Sequence, residues 1–179
     1  YIYIRLSIYI RSRVNVMARK PSKSKSKSKV PKRYTAGLSA KEKKEREAQI
    51  RKRAKASAKG KPSFAPMKGD AKAKTKPSKY TTQAKKSGLK KKIQENMNGK
   101  GKEAYLKAVA KSTGYPLPIL RTVHERGARA WATGHRPGAT QMAWSRARVL
   151  SFVQGGKTSQ TADKELYKKA REQMRKRKK

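Results

Sequence analysis

PILRTVHERGARAWATGHRPGATQMAWSRARVLSFV, residues 118–153, is the stretch on which the fold turns. From Pro118, suited to a first helical turn, Ile119, Leu120, Val123, Gly127, Ala130 and Trp131 recur at helical spacing on one face. Arg121, Thr122, Glu125, Arg126 and Arg129 fall on the other, and Gly134 ends the element. HRPG then makes a turn in which Pro137 fixes φ, and Thr140 is a good N-cap for a helix from about Gln141 to Val153. That helix has an apolar arc of Met142, Ala143, Ala147, Val149, Leu150 and Val153, interrupted by Arg146, while Trp144 and Phe152 point elsewhere. A helix apolar on more than one side is either sandwiched or uses its aromatics at a second surface.

Working outward, Tyr105, Leu106, Val109 and Ala110 give Glu103–Thr113 a helical face that Gly114 closes. Beyond Gly155–Gly156, a further helix is predicted over about Ala162–Arg175, starting at Thr161 with Asp163 and Glu165 placed for its macrodipole. The expectation is a mainly α protein: a small C-terminal domain of three to four helices over residues 103–175, with a basic tail at 176–179. A domain of that size is marginally stable alone, so binding or homo-oligomerisation would help it.

The rest of the chain differs in composition. Residues 17–102 are expected to form a basic, low-complexity and largely disordered arm. Residues 18–60 carry 17 basic and 3 acidic side chains, and the run PSKSKSKSK at 21–29 buries too little apolar surface to offset its ordering entropy. Within the arm, Ser39 and Glu42 form a capping-box pattern and Glu42–Arg46 a favourable i,i+4 pair, predicting a helix over 40–58. That helix is charged all round, and is expected to need a polyanion for stability. Residues 61–102, broken by Pro62, Pro66 and Pro77, read as a linker. Residues 1–16, rich in Ile and Tyr, stand apart, and Met17–Ala18 looks like a start, which makes 1–16 an upstream, non-native extension.

Charge sets the function class. Of 179 residues, 51 are Lys or Arg and 10 Asp or Glu, a formal net charge of +41. A compact chain so charged repels itself unless an acidic partner neutralises it, and nucleic acid is the commonest such partner. DNA is favoured over RNA here. No basic helix carries a broad apolar face, which argues against a membrane surface. The absence of cysteine excludes disulfides and thiolate sites and fits a reducing interior. No cofactor or metal is expected.

Enzyme signals are weak. GGKT at 155–158 ends like a phosphate loop, but Ser151 stands where the loop needs its first glycine, and the motif follows a helix rather than a strand. His124 and His135 lack an accompanying carboxylate cluster. The candidate phosphate-contacting residues are Arg121, Arg126, Arg129, His135, Arg136, Arg146, Arg148 and Lys157. His135 and Arg136 are expected at an exposed corner. Trp131 belongs to the core, and Trp144 to the core or to a stacking surface.

These motifs carry a resemblance. Gly127, the Gly134–Gly138 turn, Trp144 with Ala147–Arg148, Gly155–Lys157 and Asp163 resemble the pattern of an uncharacterised family of small basic proteins from marine tailed phages and large algal DNA viruses, and VPKRYTAGLS resembles its upstream motif. The resemblance covers most of residues 30–170 and implies a viral setting without a mechanism. The expected function is therefore a non-enzymatic, virion-associated protein that binds DNA without sequence specificity, in the virion or the host interior. The alternative is a minor capsid or internal scaffold protein whose helical domain docks on capsid protein.

Overall fold

A computed structural model describes residues 30–71, 73 and 75–177. The expected extension at 1–16, the lysine–serine run and the last two tail residues lie outside the described residues. A short 3-10 turn at Lys32–Tyr34 precedes eight α-helices: α1 Ala40–Ala58, α2 Lys79–Lys86, α3 Leu89–Glu95, α4 Gly101–Thr113, α5 Leu117–Thr133, α6 Gln141–Val153, α7 Lys157–Gln160 and α8 Lys164–Lys176. The protein is mainly helical, and among the described residues there is no strand. Nor is any described helix long and apolar enough to cross a membrane.

The core of α4 and α5 forms where the periodicity placed it, but on α6 the expectation is corrected, since Phe152 is buried and Met142 of the expected apolar arc is exposed. Leu106 and Val109 of α4, Leu120 and Val123 of α5, and Val149 and Phe152 of α6 are fully buried in one cluster. Each such side chain contributes roughly 1.5–3 kcal/mol of transfer free energy. Helices α5 and α6 form the most extensive helix pair. Gly127 lets them approach, because a Cβ there would stand 2.9 Å from Ser145 Cα. The predicted caps are present: Thr140 Oγ1 accepts from the Ala143 amide, and α5 ends at Gly134.

Three further expectations are corrected. First, residues 30–102 do not form a disordered arm ahead of a domain that begins at 103. The segment expected to be a linker contains α2, capped by the Ser78 hydroxyl, and α3, and these bury Ala84 and Ile93 in the common core. Second, α1 has the predicted bounds and capping box, but it packs against α5 and buries Ile50 and Arg46. Its stability draws on that seat rather than on a polyanion alone. Third, the last helix begins at Lys164 and not Ala162, because the single turn α7 intervenes. Asp163 makes no side-chain cap on α8, its carboxylate being turned to two arginines instead.

Candidate nucleic-acid interface

The outer face of α6 resolves the ambiguity of its pattern, since it is the floor of a groove of about 850 Å³. Val149 and Phe152 face the core, while Met142, Trp144, Arg146 and Arg148 line the groove. The walls come from distant parts of the chain. The 3-10 turn supplies Arg33 and Tyr34, the approach to α2 supplies Lys76 and α2 itself Tyr80, α3 supplies Lys90, α4 supplies Tyr105, and the α6–α7 turn leads to Lys157.

Seven basic side chains and four aromatic rings line this groove, and no carboxylate does. Among the described residues Arg33, Lys76, Lys90, Arg136, Arg146 and Lys157 have no ion-pair partner. Like charges gathered on a concave surface focus a positive potential into it.

The rings are held in specific ways. Trp144 is half-buried and meets Tyr34 edge to face, with ring centroids 6.0 Å apart at 66°. The Arg33 guanidinium lies 5.4 Å from the Tyr34 ring centroid, and that of Arg146 lies 4.6 Å from that of Tyr105. Tyr105 is buried, and both its hydroxyl and Arg146 Nε lack a hydrogen-bond partner. Burial pushes the Tyr105 phenol up to about 12 against the opposing pull of Arg146, so it remains a neutral O–H group at ordinary pH. Tyr80 is seated by the glycine turn: a Cβ on Gly156 would stand 2.3 Å from its ring, and its hydroxyl accepts from the Lys157 amide at 2.8 Å. The GGK sequence thus serves as a seat for an aromatic ring.

Of the eight residues named from sequence, Arg136, Arg146, Arg148 and Lys157 line the groove. The other four do not. Arg121 is ion-paired with Glu103 on the surface, and Arg129 is exposed away from the groove. Arg126 donates to the Ala162 carbonyl and to Asp163 Oδ1. Asp163 is fully buried, and it also accepts a bidentate pair from Arg148 at 2.9 Å for each bond. Arg148 therefore reaches the groove already ion-paired, sharing Asp163 with Arg126.

His135 is the clearest correction, for it is fully buried instead of standing at an exposed corner. Its ring stacks on Trp131 with centroids 4.0 Å apart at 9°. Nδ1 donates to the Trp131 carbonyl at 2.9 Å, and Nε2 lies 2.8 Å from Asp70 Oδ2. Asp70 also accepts from the Met67 and Gly138 amides and from Arg46 Nη1. Arg46, fully buried, donates in addition to the carbonyls of Lys68 and His135. Burial pushes the Asp70 carboxyl up, but the Met67 amide, His135 and Arg46 outweigh it and hold it below the ordinary carboxylate value. With both ring nitrogens occupied and no exposed surface, His135 has no atom left for a substrate. This cluster fastens α1, the 67–70 loop and the α5–α6 turn together.

Sequence reasoning missed Arg33, Tyr34, Lys76, Tyr80, Lys90 and Tyr105 as groove residues. The VPKRYTAGLS motif held a signal for the first two. The others are brought in by segments that composition had assigned to a linker, or that had been read only as core.

A model described as a family of unknown function (DUF5824) matches residues 31–167 of the 179. No curated protein and no solved structure matches the chain.

Proposed function

The chain belongs to this DUF5824 family of unknown function, and from that premise we propose that it is a non-enzymatic protein that binds DNA without sequence specificity through Lys and Arg contacts to phosphate. One observation carries the reading. In a chain of net charge +41, a groove lined by seven basic side chains and no carboxylate offers oriented, mostly unpaired cations to a polyanion. Arg136, Arg146 and Lys157, with Arg33, Lys76 and Lys90, are the ordered contacts of this proposal. The charged surface outside the groove adds counterion release without orientation.

The resemblance of the glycine and tryptophan motifs to proteins of tailed phages and algal viruses supports a viral setting. There such binding would serve a packaged genome, and the protein would reside in the virion or the host interior. The decisive measurement is duplex affinity as a function of salt. Neutralising several phosphates at once makes log K fall steeply and linearly with log salt, with a slope of about −0.9 per phosphate. A slope near zero removes the reading.

A further inference from the structure

We infer that the α6 groove holds a segment of single-stranded DNA, with bases stacked on its aromatic rings and phosphates on its cations; this rests on the nucleic-acid reading above and goes beyond it by naming the strand state and the ring that reads it. The first support is shape. At about 850 Å³ the groove is of the size that takes compact ligands, and its rings stand within the concavity. Bases in a duplex hide their faces in the stack, so rings in a concave groove meet base faces only on an unpaired strand.

The second support is the contrast between the two tryptophans. Trp131 is buried, stacked face to face on His135, and its Nε1 donates to the Ala139 carbonyl at 2.6 Å. Its stacking capacity is used inside the fold. Trp144 meets Tyr34 edge to face, a geometry in which the faces of one ring stay uncovered by the other. This edge-to-face pair therefore presents an aromatic face at the groove that its partner ring does not fill, while the Arg33 guanidinium lies over the Tyr34 ring.

The third support is hydrogen-bonding capacity that the protein leaves unused. The Tyr105 hydroxyl and Arg146 Nε are buried at the groove without partners, and leaving such groups unmade is costly. Both are donors, and a base edge or a phosphate oxygen supplies the acceptors they lack once these side chains turn toward the groove. The Tyr105 phenol is a donor of this kind, and an Arg beside rings is the usual companion of stacked bases. An acidic peptide would satisfy the cations but offers no flat faces for the rings.

The test uses the full chain and its own fluorescence, compared across four probes: a short oligo-dT, an abasic deoxyribose-phosphate strand of equal length, the corresponding duplex, and a polyglutamate peptide of equal charge. Oligo-dT should quench the Trp144 emission and bind about tenfold or more tighter than the abasic strand, the scale of one base–aromatic stack. Trp144→Ala should bring the ratio of oligo-dT to abasic affinity close to one. Ala143→Glu, at an exposed groove position, should weaken oligo-dT binding without touching the aromatic packing. Equal affinity for the oligo-dT and abasic strands with no quench overturns this inference and leaves the phosphate reading standing. Quenching by polyglutamate equal to that by oligo-dT overturns it in favour of an acidic protein partner. Failure of every nucleic acid to bind overturns both readings.

Discussion

Asp70 Oδ2 stands 2.8 Å from His135 Nε2, across 65 positions of sequence, and through that carboxylate the fully buried Arg46 of α1 is joined to the turn between α5 and α6. One acidic side chain thus compensates a buried guanidinium, a buried imidazole and two backbone amides.

Removing it leaves Arg46 without its ionic partner in the interior. Asp70→Ala should destabilise the protein by about 3–5 kcal/mol, the usual cost of breaking a buried pair from one side. Urea unfolding of the full chain measures this. Because the folded carboxyl is held below its ordinary value, its stabilisation is complete above about pH 4 and is lost as pH falls through the lower folded value. The variant should lack that acid limb of the stability profile.

His124 shows a separate pH dependence. It is buried, and burial, followed by the nearby charges of Lys102 and Arg146, holds it below its ordinary value. The unfolded chain therefore takes up the proton first on acidification. The contribution is fully present above about pH 6.5 and declines as pH falls through the folded value. His124→Phe should flatten thermal stability between neutral and mildly acid pH. An unchanged pH slope in that variant would assign the dependence elsewhere.

Two glycines test packing and groove separately. Gly127→Ala drives a methyl against the Ser145 backbone at the α5–α6 crossing, and should cost about 1–3 kcal/mol in unfolding experiments. Gly156→Ala strikes the Tyr80 ring, which must leave its seat. The expected result is weakened nucleic-acid binding with a smaller loss of stability, since Tyr80 is only half-buried at the edge of the core.

The arginines divide into paired and unpaired. Arg136→Gln combined with Lys157→Gln should reduce the salt slope of duplex binding by about 0.9 for each phosphate contact removed. Arg121→Gln should change it less, because Glu103 already neutralises that charge and the side chain lies outside the groove. An equal change per charge removed in the double variant and in Arg121→Gln would mean that net charge alone governs binding.

Much of the helical framework was legible in the sequence. Helices α1, α4, α5 and α6 carry either caps or a long apolar period, and local chemistry of that kind survives without knowledge of the tertiary fold. Helices α2 and α3 were not legible, because eight and seven residues hold too few turns to display a period, and each contributes one fully inward side chain, Ala84 and Ile93. His135 looked exposed because it sits beside Arg136 in a proline turn, while its partner Asp70 lies in a segment that composition marked as a linker. Asp163 looked like a helix-start acid for the same reason: Arg126 and Arg148 lie too far away in sequence to be read as its partners. The groove was half legible. Its floor follows from the two-sided pattern of α6, but its walls depend on which segments return to that helix.

The Arg46 fastener joins α1 to a core that α1 does not itself share, so α1 is expected to open apart from that core. The buried residues of α1 and its loop, Leu38, Ile50 and Met67, lie outside the cluster built by α2–α6 and α8. Segments secured by a few long-range polar contacts form low-stability cooperative units. Amide exchange in α1 should accordingly proceed through sub-global opening, at a lower free energy than exchange in α5. Since Arg33 and Tyr34 precede α1, each such opening also removes one wall of the groove, and a strand held there would slow α1 exchange from a distance.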